Sequence, residues 1–490
     1  MFMKKIWYTL IIVASNLSYS YVNAQELLSL SDCRSLALEH SKQLHISQEK
    51  ITAAHNSKKA AFTSYLPSVS ATGTYFRNQK EFSVLNNDQK KEINNLAPNA
   101  KSRIYQLADI LGSDNPKIKS LIQGLGDEAF TELGNFSEAL IEGVRTDTRD
   151  VYAGAISITQ PLYMGGKIRA YNKITKFAEE LAHQAHNSEL QEVILTVDQS
   201  YWQVVSLVNK EKLATSFLEL LNKLDQDVQH LIDEGMATKA DGLSIRVKVN
   251  EAEMTLTKVK DGLALSRMLL CQVCGIDLKS PITLIDEQVN DLPTAAIYSD
   301  FDLEQAYSKR PEVKSLMLAT QIYEQKIRLT RSEYLPNIAL SGNYIVTNPS
   351  FYNGFENKFR GMWNIGVAVK IPIWNWGQGF YKTRAAKAEA RVTQLQLADA
   401  KEKIELQINQ SAFKVNEASK RLTMASKNME KADENLKYAT YGFQEGVIPV
   451  SNVLEAHTAW LSAQSDKIDA QIEVKLTDIY FKKALGTLTE

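Results

Sequence analysis

Trp363-Asn-Ile-Gly-Val-Ala-Val-Lys-Ile371 alternates apolar with small or polar residues, bends through Pro372, Gly377 and Gly379, and opens into Tyr381 to Tyr441, which holds no Gly or Pro. The alternation predicts a strand, and the unbroken run predicts a helix. At 1.5 Å per residue that helix is roughly 90 Å long, more than a globular domain uses. It stops at Gly442 and Gly446, turns through Pro449, and helix resumes near Asn452, running on past Glu455.

The same plan stands earlier in the chain. Pro161, Gly166 and Glu234-Gly235 precede Pro372, Gly377 and Glu445-Gly446 by 211 residues; Tyr65-Leu66-Pro67, Gly73 and Tyr75 precede Tyr334-Leu335-Pro336, Gly342 and Tyr344 by 269. Anchors repeated at fixed offsets predict two copies of one structural unit. The offsets differ by 58, so the first copy carries an insertion of about that size between its two strands. The division is therefore 25–292 and 293–490. The first copy has strands at about 65–77 and 152–163, a long helix at about 166–232 and the insertion at about 82–149. The second has strands at about 334–347 and 362–374 and the long helix at about 381–441.

Each long helix is accompanied by two shorter ones. These are Asp32 to Phe62 (N-capped by Ser31 or Asp32) and Thr238 to Cys274 in the first copy, and Asp302 to Arg331 and Asn452 to Leu485 in the second. In each copy the two short helices add up to about the length of the long one, so stacked end to end they would run antiparallel beside it. Leu213, Phe217, Leu220, Leu224, Val228 and Leu231 step by three and four, the spacing of a coiled-coil seam. Pro281 to Pro293 reads as a non-helical connector at the level where the short helices meet.

The four strands each present two faces. Ser68, Ser70, Thr72 and Thr74 oppose Val69, Ala71, Gly73 and Tyr75; Ser157 and Thr159 oppose Ile156, Ile158 and Leu162. Asn337, Ala339, Ser341 and Asn343 oppose Ile338, Leu340, Tyr344 and Val346; Asn364, Gly366, Ala368 and Lys370 oppose the Trp363–Ile373 apolar set. Lengths near ten residues suit membrane strands with lipid on one side and water on the other. Four strands cannot close around a water-filled interior, and open sheet edges are not tolerated in lipid, so the pattern predicts several chains sharing one barrel. Tyr65, Tyr152, Tyr163, Tyr334, Trp363, Trp374 and Trp376 lie near strand ends, where interfacial aromatic girdles form.

Met1 to Ala24 reads as a secretory signal, with Lys4 and Lys5 before an apolar core and Val22-Asn23-Ala24 before Gln25. The charge of −1 argues against a nucleic-acid partner. Three Cys are too few for a disulfide framework. Cys271-Gln-Val-Cys274 reads as small buried residues at a helix end, with a disulfide to Cys33 left open. The seven His are scattered, and neither a metal-ligand cluster nor a Gly-x-Ser-x-Gly stands in the chain, so no catalytic residue, cofactor or metal is expected.

With the Tyr-Leu-Pro strand openings, Pro-to-Gly strand exits and Phe443-Gln-Glu-Gly446 followed by Asn452-Val-Leu-Glu455-Ala456, the chain resembles the TolC-type outer membrane efflux proteins over nearly its whole length. The resemblance implies a mainly α fold with a transmembrane β-barrel portion. Long antiparallel helices would form a periplasmic α-barrel, and four strands per chain would contribute to a homotrimeric, twelve-stranded β-barrel in outer membrane lipid. It implies a passive duct for efflux or type I secretion, working with a periplasmic adaptor and an inner-membrane transporter. A structural or adhesive cell-envelope coiled-coil protein is the alternative.

The resemblance also implies a periplasmic gate. Two acidic gate positions fall on Asn452 and Glu455, so only Glu455 keeps a charge. A gate Asp falls on Asp241, while its Arg and Tyr partners fall on Ile448 and Phe443, which cannot reciprocate. Gly235, Phe443 and Gly446 mark the tip turns. The other reading of Asp241 and Glu455 is ordinary acids at helix N-termini. In the insertion, Ile104, Leu107, Ile110 and Leu111, then Ile118, Leu121, Ile122 and Leu125, then Leu133, Phe136, Leu140 and Ile141 recur at helical spacing, with Gly112, Gly124, Gly126 and Gly134 as interruptions. They read either as a partly helical lid or collar over the pore mouth or as a surface loop.

Overall fold

The computed structural model describes residues 26–79, 85–111, 116–143, 149–288, 301–350, 352 and 356–488. The signal segment at 1–24 and Gly112 lie outside these, as does the connector beyond Gln288. The chain divides into two units, one of residues 1–58, 173–325 and 385–490, the other of 59–172 and 326–384.

The first unit is helical. Its elements are β1 (Glu26–Leu28), α1 (Leu30–His40), most of α2 (Lys42–Thr63) and of α5 (Lys167–Asp233), α6 (Lys239–Cys274), β4 (Ile282–Leu284), α7 (Leu303–Lys309), most of α8 (Pro311–Ser332) and of α9 (Gln378–Gln444), and α10 (Val450–Ala484). The two long helices, α5 and α9, have 67 residues each. The main core joins Cys33 and Ala37 to Ile194, Val197, Tyr201, Val204 and Val205 of α5, to Leu270 and Cys274 of α6 and to Leu284. A second core packs Ile404, Ile408 and Val415 of α9 against Val313 and Phe481.

Four expectations need correction here. Asp32 to Phe62 is not one helix: α1 ends at His40, Ser41 is extended (φ −63°, ψ 112°), and α2 begins at Lys42. The N-cap is Ser29, not Ser31 or Asp32; its hydroxyl accepts from Asp32 N while the Asp32 carboxylate accepts from Ser29 N, a capping box. Asp302 to Arg331 is likewise two helices, because Pro311 biases Arg310 out of the helical region (φ −68°, ψ 123°). The connector is not wholly irregular. Ile282–Leu284 pairs in parallel with Glu26–Leu28, and a 3₁₀ turn follows at Ile285–Gln288.

The second unit is built on one four-stranded antiparallel sheet in the order β2 (Ser68–Arg77), β3 (Asp150–Met164), β5 (Asn337–Asn348), β6 (Arg360–Lys370). Register aligns the faces across the whole sheet. Val69, Ile158, Gly342 and Ile365 form one row and Ala71, Ile156, Tyr344 and Trp363 the next; on the other face Ser70, Ser157, Asn343 and Asn364 stand in line. Asn343 Nδ2 donates to Asn364 Oδ1 at 2.9 Å. The apolar face is uncovered, with Trp363 and Ile365 about 70 % exposed. One bulge shifts the pairing: Leu162 is the extra residue, and Tyr163 instead joins the row of Ile338 and Val369.

The insertion forms two helices, α3 (Asn87–Leu111) and α4 (Pro116–Gly143), packed as an antiparallel hairpin. The glycines do not interrupt α4. A Cβ at Gly126 would come within 3.2 Å of the Phe130 ring of its own helix and into ordinary contact, at 3.7 Å, with Ile104 of α3, so Gly126 faces the helix–helix seam. Among the described residues, no helix is long and apolar enough to cross a membrane.

Candidate functional site

The ends of α5 and α9 and the starts of α6 and α10 meet in one cluster of Leu224, Val228, Ile245, Val450 and Val453, with Phe443, Ile232 and Leu454 against it. Each turn closes the same way. Gly235 and Gly446 are left-handed (φ 79° and 72°), and Met236 N donates to Leu231 O as Val447 N donates to Gly442 O, the Schellman pattern. Phe443 therefore serves packing, and Ile448 lies over Gly442, whose Cβ it would meet.

Asp241 is engaged within its own turn. Its carboxylate accepts from Thr238 N at 3.0 Å and from Thr238 Oγ1 at 2.6 Å, and its own amide donates to Thr238 Oγ1 at 3.3 Å. These bonds hold its carboxyl below the usual carboxylate range. The structure thus gives Asp241 a capping role. Asn452 and Glu455 are both exposed in the first turns of α10, with Ser451 Oγ 3.4 Å from Asn452 Oδ1. Links between neighbouring tip helices come from residues with no motif around them. Arg246 Nη2 donates to Gln229 Oε1 at 2.9 Å, with its Nε 3.4 Å from Asp225, and Trp460 Nε1 donates to Asp433 Oδ1 at 3.2 Å.

Compared with known families, residues 130–275 and 303–487 match the model described as outer membrane efflux protein. The chain belongs to that family. The alkaline protease secretion protein AprF of Pseudomonas aeruginosa is 24 % identical over 267 residues, 53 % of this chain and 53 % of that protein. The match spans about half of AprF's length. Outer membrane protein TolC of Vibrio cholerae serotype O1 is 19 % identical over 347 residues, covering 70 % of this chain and 78 % of TolC. The fold agrees with the solved structure of CusC at a TM-score of 0.73 and 13 % identity, covering 96 % of this chain and 95 % of that one. The chain is accordingly an outer membrane protein with most of its length in the periplasm.

One buried tip residue was not marked by any motif. His457, one turn beyond Val453 and Leu454 on α10, is buried edge-on to the Phe217 ring at 6.4 Å between centroids. Its Nδ1 is buried without a hydrogen-bond partner, and burial pushes the imidazole's pKa down. A histidine whose folded pKa is depressed leaves stability intact above its unfolded value, near 6.5, and withdraws it as pH falls through the folded value. Protection factors of the amides in residues 213–232 and 450–461, corrected for the intrinsic pH dependence of exchange, are therefore expected to fall between pH 7.5 and 5.5. His457→Phe, which keeps the ring packing, is expected to abolish that loss of protection.

The three Cys are free and buried. Cys274 Sγ lies 3.6 Å from the Cys33 carbonyl oxygen, and contact with Cys274 together with burial pushes the Cys33 thiol up. They act as small core residues.

Proposed function

We propose that three copies of this chain form a passive duct, twelve strands closing a β-barrel in the outer membrane and the paired helices continuing as an α-barrel in the periplasm. The observation that carries this reading is the sheet. One face is an in-register apolar surface left open by the chain itself, the other is polar, and among the described residues the edges β2 and β6 pair with no strand beyond the sheet. Edges of that kind are satisfied in lipid only by closure with further strands. The two-copy organisation is supported by local geometry. Gly166 and Gly377, Gly235 and Gly446, and Gly275 and Gly486 stand 211 apart and are all left-handed. The helix breaks at Ser41 and Arg310 stand 269 apart, and Gly275 abuts His40 where Gly486 abuts Lys309 and Arg310.

The duct would serve efflux or type I secretion, with a periplasmic adaptor and an inner-membrane transporter as partners; AprF's own name refers to secretion of a protease. At the tips, Glu455 supplies one exposed carboxylate per chain, so a trimer carries a ring of three, with Asn452 adding no charge. An anionic ring in a narrow pore favours cations. Purified from outer membranes and placed in planar bilayers, the protein is expected to conduct passively as a crosslinkable trimer. Glu455→Ala should leave the trimer intact and lower its cation preference. A monomer without conductance would overturn the duct; a trimer with unchanged selectivity would remove Glu455 from the gate.

A further inference from the structure

The α3–α4 hairpin presents a second apolar surface. Ala97, Ala108, Phe130 and Ser137 are buried between the helices. Beside that seam Leu96, Leu107 and Ile110 on α3, and Leu121, Phe136 and Leu140 on α4, are exposed, Ile110 by 73 % and Leu121 by 65 %. At about 100° per residue, each exposed set is centred roughly a third of a turn from its helix's buried set, in the same rotational sense. In antiparallel helices that sense places both sets on one face of the hairpin. Lys101 to Asp127 and Lys119 to Asp109, both 2.6 Å, tie the two helices by charge. A two-helix layer with one apolar face needs a third surface to cover it.

We infer that the occupant is the same face of a second copy, so that three hairpins pack into a six-helix collar that joins the subunits outside the barrel. This rests on the trimeric duct proposed above. Two arguments select this occupant. The first is geometry. Asn78 N donates to Arg149 O at 2.7 Å, so the β2–β3 ladder fixes the hairpin's root at the strand ends opposite to those that enter helices. β2 is also an edge strand, so the root lies at the seam where copies meet. Twelve strands about 4.8 Å apart and tilted about 40° close a circle of roughly 12 Å radius. Three roots on it stand about 20 Å apart, which matches the width of a hairpin made of two helices of about 10 Å each. Neighbouring hairpins therefore reach one another.

The second argument is charge. Helices that lie on a lipid headgroup layer carry Lys and Arg on their polar face. α3 and α4 together hold six Lys or Arg against eight Asp or Glu, and α4 alone holds two Lys against five acids. The hairpin is built for contact with protein rather than with an anionic headgroup surface.

The test uses the full-length protein in native outer membranes, with a photo-crosslinking benzoylphenylalanine at Ile110 or Phe136 and, as a control, at Thr72 on the β2 edge. Covalent dimers and trimers from the hairpin positions, mapped by mass spectrometry to α3 or α4 of another copy, are the expected result. Crosslinks that stay within one chain or go to lipid, while Thr72 still yields trimers, would overturn the collar and leave the duct standing. Failure at all three positions would remove the trimer and the collar with it. In the double variant Ile110→Asp with Phe136→Asp, Thr72 should still give trimers, while the hairpin becomes open to protease. Unaltered protease resistance would count against the collar.

Discussion

Ile365→Arg is expected to deplete the protein from the outer membrane, whereas Asn364→Arg one residue away is expected to leave its amount there unchanged. Ile365 sits midway along β6 in the row Val69, Ile158, Gly342 and Ile365, on the uncovered apolar face; Asn364 stands in the polar row with Ser70, Ser157 and Asn343. Charged residues on the lipid face of a barrel cost about 2–4 kcal/mol near the bilayer midplane. In the proposed trimer that cost is met three times, while a side chain facing the proposed lumen stays in water. The measurement is the amount of trimer in outer membrane fractions that resists detergent until heated. Ile365→Arg should lose most of it, and Asn364→Arg should keep it while changing conductance. Equal amounts for both would mean that the two faces do not separate lipid from water.

That contrast also marks what the residues disclosed by themselves. The alternation in Trp363–Ile371 and the absence of Gly and Pro from 381–441 are local signals, and the structure places β6 and α9 there with ends shifted by a few residues. Tip turns were visible because only glycine takes the left-handed conformation there without strain. Features set by distant partners were not visible. The break at Ser41 has no Gly or Pro to announce it, and the β1–β4 pair is three residues long on each side, too short for any periodicity to show. The bulge at Leu162 depends on how β5 pairs with β3, which a single strand's alternation does not carry. In α4 the glycines misled, since Gly126 looked like a stop and is a contact point. At the tips, the family resemblance alone singles out Asp241, Asn452 and Glu455, and the cap that engages Asp241 and the burial of His457 are properties of packing. Thr238 followed three residues later by Asp241 was the one local hint of that cap.

Arg34→Ala is expected to destabilise the helical unit more than any single change at the tips. Arg34 on α1 meets Asp198 on α5 across 164 residues, Nε to Oδ1 at 2.8 Å and Nη2 to Oδ2 at 2.6 Å, a two-point fork. The Asp198 side chain has no solvent exposure. Burial raises its carboxyl's pKa, with Arg34 and, more weakly, Lys482 opposing the rise, while the carboxylate raises that of the guanidinium. Both shifts follow from one desolvated pair; the fork's geometry favours the ionised form, and burial makes that form depend on Arg34. Removing one partner of such a pair typically costs about 3–5 kcal/mol, because a buried group is left uncompensated. Replacing both by apolar residues of similar size often costs little. The melting temperature of the detergent-solubilised protein should therefore fall sharply in Arg34→Ala and recover most of the loss in Arg34→Met with Asp198→Leu. The pH dependence adds a sign. With Arg34 gone, the Asp198 pKa stays above its unfolded value, so the variant's stability should fall as pH rises through that range. A single variant that melts like the parent at every pH would show that α1 is held by its apolar contacts with Val197, Tyr201 and Cys274 alone.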